Sequence, residues 1–300
     1  MKYKGGDIIR NLRKNMGVSQ EEMAKRLYIS QRTYSRIENG ETEPDWMEFV
    51  LVFTTLGHFT DDFWIMYLDY EEYMGYMQYQ RIRKSLLKNN VTEAQQALTA
   101  FMQSSLAKLE FMRQFTTAMP LILTETCDHK LIEGLNKALA ISIPAYNPET
   151  ATHNYTYIEI MIINSLATAH STQGNHDLAA SMLQGVVHGL DNNTLRITRY
   201  EKAMGFPKTI VNLYHILFQA QRYQEAQEQC VKALTIGRQL THIIYHPDAL
   251  YFQALCKMHT GALQEEYTPL LARAYHGACG VGQTILARRI LEAYHEATGK

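Results

Sequence analysis

Cysteine is scarce in this chain and gives no sign of a covalent or metal-bound scaffold. The four cysteines lie far apart, and none forms a CxxC motif or a cluster with histidine: Cys127, Cys230, Cys256 and Cys279. This spacing argues against a disulfide framework and a zinc site, and it fits a reducing compartment.

Long apolar runs are also missing. No stretch approaches the roughly 18 apolar residues that a membrane-spanning helix needs. The first residues, MKYKGGD, run directly into a helical pattern without an apolar segment. We therefore predict no membrane span and no signal peptide, and we expect a cytoplasmic protein.

Signatures of common enzymes and cofactor sites are lacking. The chain has no GxSxG or HExxH motif, and the glycine-rich segment 277–282 lacks the GxGxxG order and follows a predicted helix. His242 and His246 lie four residues apart, but Pro247 follows directly and no third ligand accompanies them. We predict no enzyme activity, no metal and no cofactor.

Charge is nearly balanced overall, at a formal net value of -1, but it is unevenly distributed. Residues 1–40 hold nine Lys and Arg against four Asp and Glu, whereas residues 41–75 hold nine acidic residues and no Lys or Arg. Residues 81–300 are close to balanced. The first forty residues are therefore the predicted polyanion-binding part of the chain.

Helix signals in this basic segment predict three short helices. The first carries apolar residues on one face and ends at Gly17. Ser19, with Glu22 three residues later, forms a capping box for the second. Ser30 is an N-cap for the third, which ends at Gly40. Two short helices joined by a tight turn predict a helix-turn-helix.

Two further helices complete the predicted domain. Pro44 and Asp45 begin the fourth, and residues 60–68 form the fifth. We therefore predict a five-helix DNA-binding domain over residues 1–68 and a second domain over residues 69–300.

The segment SQEEMAKRLYISQRTYSRIENGETEP resembles the Xre/Cro family of phage and bacterial repressors. The resemblance implies that the third helix enters the major groove, with Gln31, Arg32 and Arg36 on base edges and Ser35 nearby. Gln and Arg are the side chains that make bidentate contacts to adenine and guanine. The alternative is that these residues form an ordinary solvated surface.

Other positions of the domain have supporting roles. The resemblance assigns Arg13 and Glu38 to a structural pair between the first and third helices. Gln20 and Ser30, at helix N-termini, are placed for phosphate contact, although Gln20 fits a plain cap-turn role equally well. Two roles stay open for Asn39: it contacts a phosphate, or it only tolerates the backbone conformation of the turn.

Tyrosine recurs at every third residue of the connecting segment: Tyr67, Tyr70, Tyr73, Tyr76 and Tyr79. A three-residue spacing drifts around an α-helix, so these rings do not share one buried stripe. Two alternatives remain open, packing within the domain and a dimer contact.

Beyond residue 80 the pattern has a helical period and repeats. Two segments resemble degenerate tetratricopeptide repeats, NSLATAHSTQGNHDLAASMLQGVV and NLYHILFQAQRYQEAQEQCVKALTIG, and weaker copies centre on Asn89, Cys127 and Gly261. We predict an all-α fold in which the five-helix domain precedes a right-handed superhelical array of about five helix pairs.

A helix-turn-helix domain followed by such repeats resembles the Rgg/PlcR/PrgX group of peptide-sensing, quorum-sensing regulators from Gram-positive bacteria. The resemblance implies a short signalling peptide in a concave groove lined by first helices. By repeat register the candidate contacts are Asn164, Thr168, Lys208, Asn212, His215, Phe218 and Tyr251. For each of them, a solvated or helix-packing role is the alternative.

These features together predict a cytoplasmic, homodimeric transcription regulator that binds an inverted repeat in double-stranded DNA under the control of a peptide. Two other classes stay open. One is a repressor whose repeats only oligomerise, and the other is a scaffold whose repeats bind a protein.

Overall fold

A computed structural model describes seven parts of the chain: residues 5–56, 69–87, 90–124, 129–149, 154–192, 199–239 and 245–299. The chain divides into two compact units, Met1–Thr116 and Thr117–Lys300. Several predicted features lie outside the described residues: the helix at 60–68 with Tyr67, the domain boundary at residue 68, the turns at Asn89 and Cys127, and His242.

Every regular element in the described part of the first unit is a helix. Its helices are α1 Gly6–Asn15, α2 Gln20–Arg26, α3 Gln31–Glu38, α4 Trp46–Thr55, α5 Tyr70–Leu87 and α6 Val91–Met102. Two single-turn 3-10 helices follow, Leu106–Lys108 and Glu110–Met112, and α7, Arg113–Ile122, continues into the second unit.

Local capping explains where three helices begin, α2, α3 and α4. The Oγ atoms of Ser19 and Ser30 accept hydrogen bonds from the backbone N–H groups of Glu22 and Thr33, at 3.1 and 3.0 Å. Asp45 and Glu48 form a reciprocal capping box at the start of α4. Together with α1, these helices enclose a small core of fully buried side chains, which includes Ile8, Ile9, Met23, Tyr34, Ile37 and Phe49.

The tyrosines of α5 divide between two environments, as their spacing predicted. Tyr73 and Tyr76 are buried, whereas Tyr70 is exposed. The Tyr79 ring lies 6.1 Å from Phe101 and 4.9 Å from Phe115, measured between ring centroids. Packing within the unit therefore accounts for Tyr73, Tyr76 and Tyr79.

The second unit contains eight further helices among its described residues. They are α8 His129–Ala140, α9 Tyr157–Thr172, α10 His176–Asp191, α11 Arg199–Gln219, α12 Tyr223–Gln239, α13 His246–His259, α14 Gln264–Gly280 and α15 Thr284–Thr298. The turns of three pairs fall where the sequence predicted them, between α9 and α10, α11 and α12, and α13 and α14.

Apolar residues of the predicted repeats form the core of this unit. Leu166, Ala167, Ala179 and Leu183 are fully buried in the α9–α10 pair. Leu213, Tyr214, Leu217, Ala226 and Cys230 are fully buried in the α11–α12 pair. Small residues allow close approach, since a Cβ at Gly134 would lie 2.9 Å from a Leu121 methyl group.

The all-α fold class is confirmed. No helix among the described residues has the length and apolar character needed to cross a membrane.

Candidate functional site

A buried ion pair joins α1 to α3. Arg13 Nε and Nη2 donate to Glu38 Oε1 and Oε2 at 2.6 and 3.0 Å, and Arg13 Nη1 donates to the Val18 carbonyl at 2.7 Å. Burial opposes ionisation of Glu38, but the hydrogen bonds from Arg13 and Gln20 and the charge of Arg13 together outweigh it and hold the pKa of that carboxyl below its usual value. The predicted structural pair is confirmed, and it positions α3.

One face of α3 presents polar side chains outward. Gln31, Arg32 and Arg36 are exposed, and Ser35 is half-buried. Arg36 Nε lies 3.7 Å from Glu41 Oε2, an exposed ion pair of little stabilising effect. Because Tyr34 and Ile37 on the opposite face are fully buried, the orientation of the exposed face is fixed by the core.

Two predicted phosphate contacts take part in hydrogen bonds within the protein. Gln20 Nε2 donates to Glu38 Oε2 at 2.6 Å, which favours its structural alternative. Asn39 Oδ1 accepts from Arg10 Nη2 at 2.6 Å, and the same Nη2 donates to the Glu38 carbonyl at 2.8 Å. Arg10 was missing from the predicted residues, although it lies one turn before Arg13 on the same helix.

Asn164 and Asn212, which the repeat register placed on adjacent first helices, are in direct contact. Asn212 Nδ2 donates to Asn164 Oδ1 at 3.0 Å. Asn164 Nδ2 donates to Thr209 Oγ1 and to the Ile160 carbonyl, both at 2.9 Å. Both asparagines are half-buried, so this polar chain links α9 to α11 at a place that solvent reaches.

Three other residues predicted to contact the ligand surround the ring of Phe252. Phe252 itself was not among the predicted residues. Ring centroids of His215, Phe218 and Tyr251 lie 4.2, 5.3 and 5.6 Å from that of Phe252. Asp248 Oδ2 lies 2.8 Å from His215 Nε2 and accepts a hydrogen bond from the Tyr214 hydroxyl. Residues Asp248 and Phe252 sit one turn apart on α13, and that spacing is the signal that could have identified them.

Thr168 and Lys208 stand apart from these contacts. Thr168 is exposed, and its hydroxyl donates to the Asn164 carbonyl of its own helix at 2.9 Å. Lys208 is exposed. The second unit also has a cleft of about 620 Å³. Its lining contains none of the predicted peptide contacts and consists of Gln224, Gln227, Glu228, Val231 and Thr260.

Residues 9–45 match the family model described as helix-turn-helix. The N-terminal segment is a helix-turn-helix domain. The matched range includes α2, the turn and α3, and therefore all of the residues predicted to meet DNA. No curated protein matches the chain in sequence.

Solved structures resemble the whole chain. Bacillus thuringiensis PlcR, in complex with the peptide PapR7 and DNA, is 15% identical with a TM-score of 0.63, over 99% of this chain and 100% of PlcR. ComR from S. thermophilus, in complex with DNA and its signalling peptide ComS, is 13% identical with a TM-score of 0.58, over 98% and 99%.

The SHP pheromone receptor Rgg2 of Streptococcus dysgalactiae is 16% identical with a TM-score of 0.55, over 97% of this chain and 99% of Rgg2. The chain has the fold of these proteins. The helix-turn-helix match and this fold agree with the resemblance to the Rgg/PlcR group that the sequence indicated.

Proposed function

We propose that this protein is a sequence-specific DNA-binding transcription regulator controlled by a short peptide bound to its repeat helices. The observation that carries the proposal is the exposed face of α3, where Gln31 and Arg32 project from a helix held by the buried Arg13–Glu38 pair. We place the DNA-binding domain at residues 1–68 and the repeat domain at 69–300, and we expect a cytoplasmic protein.

The chemistry of α3 suits the major groove. An Arg guanidinium donates two hydrogen bonds to guanine O6 and N7, and a Gln amide both donates to and accepts from adenine. Ser30, at the start of α3, presents a helix N-terminus toward the phosphate backbone. Base contacts therefore come from Gln31, Arg32 and Arg36, and the flanking residues fix the register.

The asparagine pair suits the backbone of an extended peptide, because each amide has both a donor and an acceptor. A peptide that lies along α9 and α11 replaces the Asn212–Asn164 hydrogen bond with bonds to its own N–H and C=O groups. PlcR and ComR, whose fold this chain has, are each described with a bound peptide.

Asn164→Ala and Asn212→Ala should each weaken peptide binding by about 1–3 kcal/mol, because each leaves a backbone group of the peptide unsatisfied. Calorimetric titration should use the peptide that co-purifies with the protein from host cells, identified by mass spectrometry. Both variants should bind DNA as the unaltered protein does.

Asn136→Ala is the matched control, since Asn136 is an exposed asparagine within α8. Its affinity for the peptide should not change. Unchanged affinity in both the Asn164 and the Asn212 variants would place the ligand elsewhere.

We also propose a homodimer on an inverted repeat, because one recognition helix covers only a few base pairs and paired half-sites supply the remaining specificity. Sedimentation at micromolar concentration should show a dimer. A monomer both free and on DNA would contradict this arrangement.

The rings around Phe252 favour a second candidate, a regulator whose repeats only oligomerise. His215, Phe218 and Tyr251 already fill space near that ring, which leaves less room for ligand side chains. The mass spectrum separates the two candidates. A recovered peptide supports the peptide-controlled regulator, and its repeated absence from protein purified from the host supports the second.

A further inference from the structure

The turn between α2 and α3 contains a tyrosine at a backbone position that usually belongs to glycine. The Tyr28 N–H donates to the Lys25 carbonyl at 3.3 Å, and the Ile29 N–H donates to the Ala24 carbonyl at 3.0 Å. These two bonds form a Schellman motif, which requires a left-handed residue after the helix. Tyr28 supplies it with φ of 57°.

Glycine occupies the equivalent position after the neighbouring helices. Gly17 follows α1 with φ of 67°, and Gly40 follows α3 with φ of 69°. A bulky side chain in this region strains the backbone, and such strain is found most often at functional positions. Tyr28 therefore lowers the stability of a turn that glycine would form without strain.

Packing does not offset that cost. Tyr28 is 95% exposed, more than any other large hydrophobic residue for which the structure gives a burial value. Its ring extends into solvent from the turn that leads directly into α3. The protein thus carries both a strained backbone and an exposed aromatic ring at this position.

The surroundings of Tyr28 attract a polyanion. Residues 23–37 include four cations and no acidic residue: Lys25, Arg26, Arg32 and Arg36. Arg26 and Arg36 pair with Glu22 and Glu41 outside this range, and Lys25 and Arg32 are exposed cations on either side of the turn. The Cα atom of Tyr28 lies within about 11 Å of that of Gln31, the longest reach of three residues. The major groove is about 12 Å wide, so a residue this close in the chain to the base-reading Gln31 is within reach of a strand that borders the groove.

We propose that Tyr28 is a DNA-backbone contact, with its hydroxyl donating a hydrogen bond to a phosphate and its ring packing on the adjoining sugar. Tyrosine is among the side chains that contact phosphate in this way. The proposal rests on the DNA-binding function proposed above. A backbone contact of this kind raises affinity for every sequence and leaves base preference unchanged.

The test compares the full chain with Tyr28→Gly and Tyr28→Phe. Binding to a random-sequence duplex about three helical turns long is measured by fluorescence anisotropy at several salt concentrations. Tyr28→Gly should lower affinity about tenfold, and Tyr28→Phe, which loses only the hydroxyl, should lower it less. The dependence of affinity on salt should keep its slope, because a neutral hydroxyl releases no counterion.

Thermal melting distinguishes a DNA contact from a structural role. Tyr28→Gly should melt at the same temperature as the unaltered protein or about 2 °C higher, since it relieves the strain. Gln221→Gly is the matched control, because Gln221 has φ of 60° after α11 in the second unit. It makes the same backbone change and should leave DNA affinity unaltered.

Equal binding by Tyr28→Gly and the unaltered protein would overturn the proposal and leave the DNA-binding function intact. A lower melting temperature for Tyr28→Gly would make the ring structural and would also overturn it. If the unaltered protein does not bind the duplex even at low salt, the DNA-binding function itself fails.

Discussion

Arg13→Ala should lower the free energy of unfolding of the N-terminal unit by about 3–5 kcal/mol, because it leaves a buried carboxylate without its cation. The Glu38 side chain is fully buried, and two of its hydrogen bonds come from Arg13. Gln20 and Arg10 still lie near Glu38 in this variant. The Gln20 amide is neutral and the Arg10 Nε is 3.9 Å from Glu38 Oε2, so neither replaces the Arg13 guanidinium well. Urea denaturation of the full chain, followed by circular dichroism, measures the loss.

Arg26→Ala is the control, since Arg26 pairs with Glu22 on the exposed surface of α2. That substitution should cost less than about 1 kcal/mol. A loss below about 1 kcal/mol for Arg13→Ala would show that the pair does not hold α3 in place.

Lowering the pH should cause part of the same loss of stability in the unaltered protein. The pKa of Glu38 is lower in the folded state than in the unfolded chain. Its contribution to stability is therefore fully present above the unfolded value of about 4.3 and is lost as the pH falls through the folded pKa. The Arg13→Ala variant should show a smaller loss over that range.

Arg32→Ala should lower affinity for the cognate DNA site by about 1–3 kcal/mol and relax base preference at one position of each half-site. The side chain is exposed and makes no contribution to the core, so the domain should remain folded. Loss of preference distinguishes a base contact from a phosphate contact, which lowers affinity for all sequences. Anisotropy with the cognate site and single-base variants of it gives both quantities.

Arg288→Ala removes the same charge from an exposed position on α15 and controls for the general effect of net charge. It should leave both affinity and preference unaltered. If Arg32→Ala binds every duplex as the unaltered protein does, the recognition helix has been assigned to the wrong face.

Local signals were sufficient to predict much of the N-terminal unit. Ser19, Ser30 and Asp45 cap helices at the positions expected from their residue types. Gly17 and Gly40 adopt the left-handed conformation that ends α1 and α3. These features depend on neighbours within a few residues, and that is why the sequence alone predicted them.

Contacts between distant residues were harder to predict. The register placed Asn164 and Asn212 on adjacent first helices, but nothing in a helical period indicates that their amides bond to each other or to Thr209. The same holds for the bond between Gln20 and Glu38. Which of several polar partners a side chain finds depends on how helices pack, and a one-dimensional pattern does not contain that information.

Two positions depart from the simplest local pattern. Met16 shares the helical spacing of the apolar residues of α1 but is 45% exposed, because it is the C-cap residue and lies beyond the last helical turn. Pro120 lies inside α7, which ends two residues later at Ile122.

Selection of DNA from a random library by the full-length protein tests the central claim most directly. The enriched sequences should contain an inverted repeat whose half-sites are centred about one helical turn apart, or a multiple of that distance. The same selection with Gln31→Ala and Arg32→Ala combined should enrich a weaker or degenerate motif. Failure of the unaltered protein to enrich any sequence, or recovery of an identical motif by the double variant, would contradict the account.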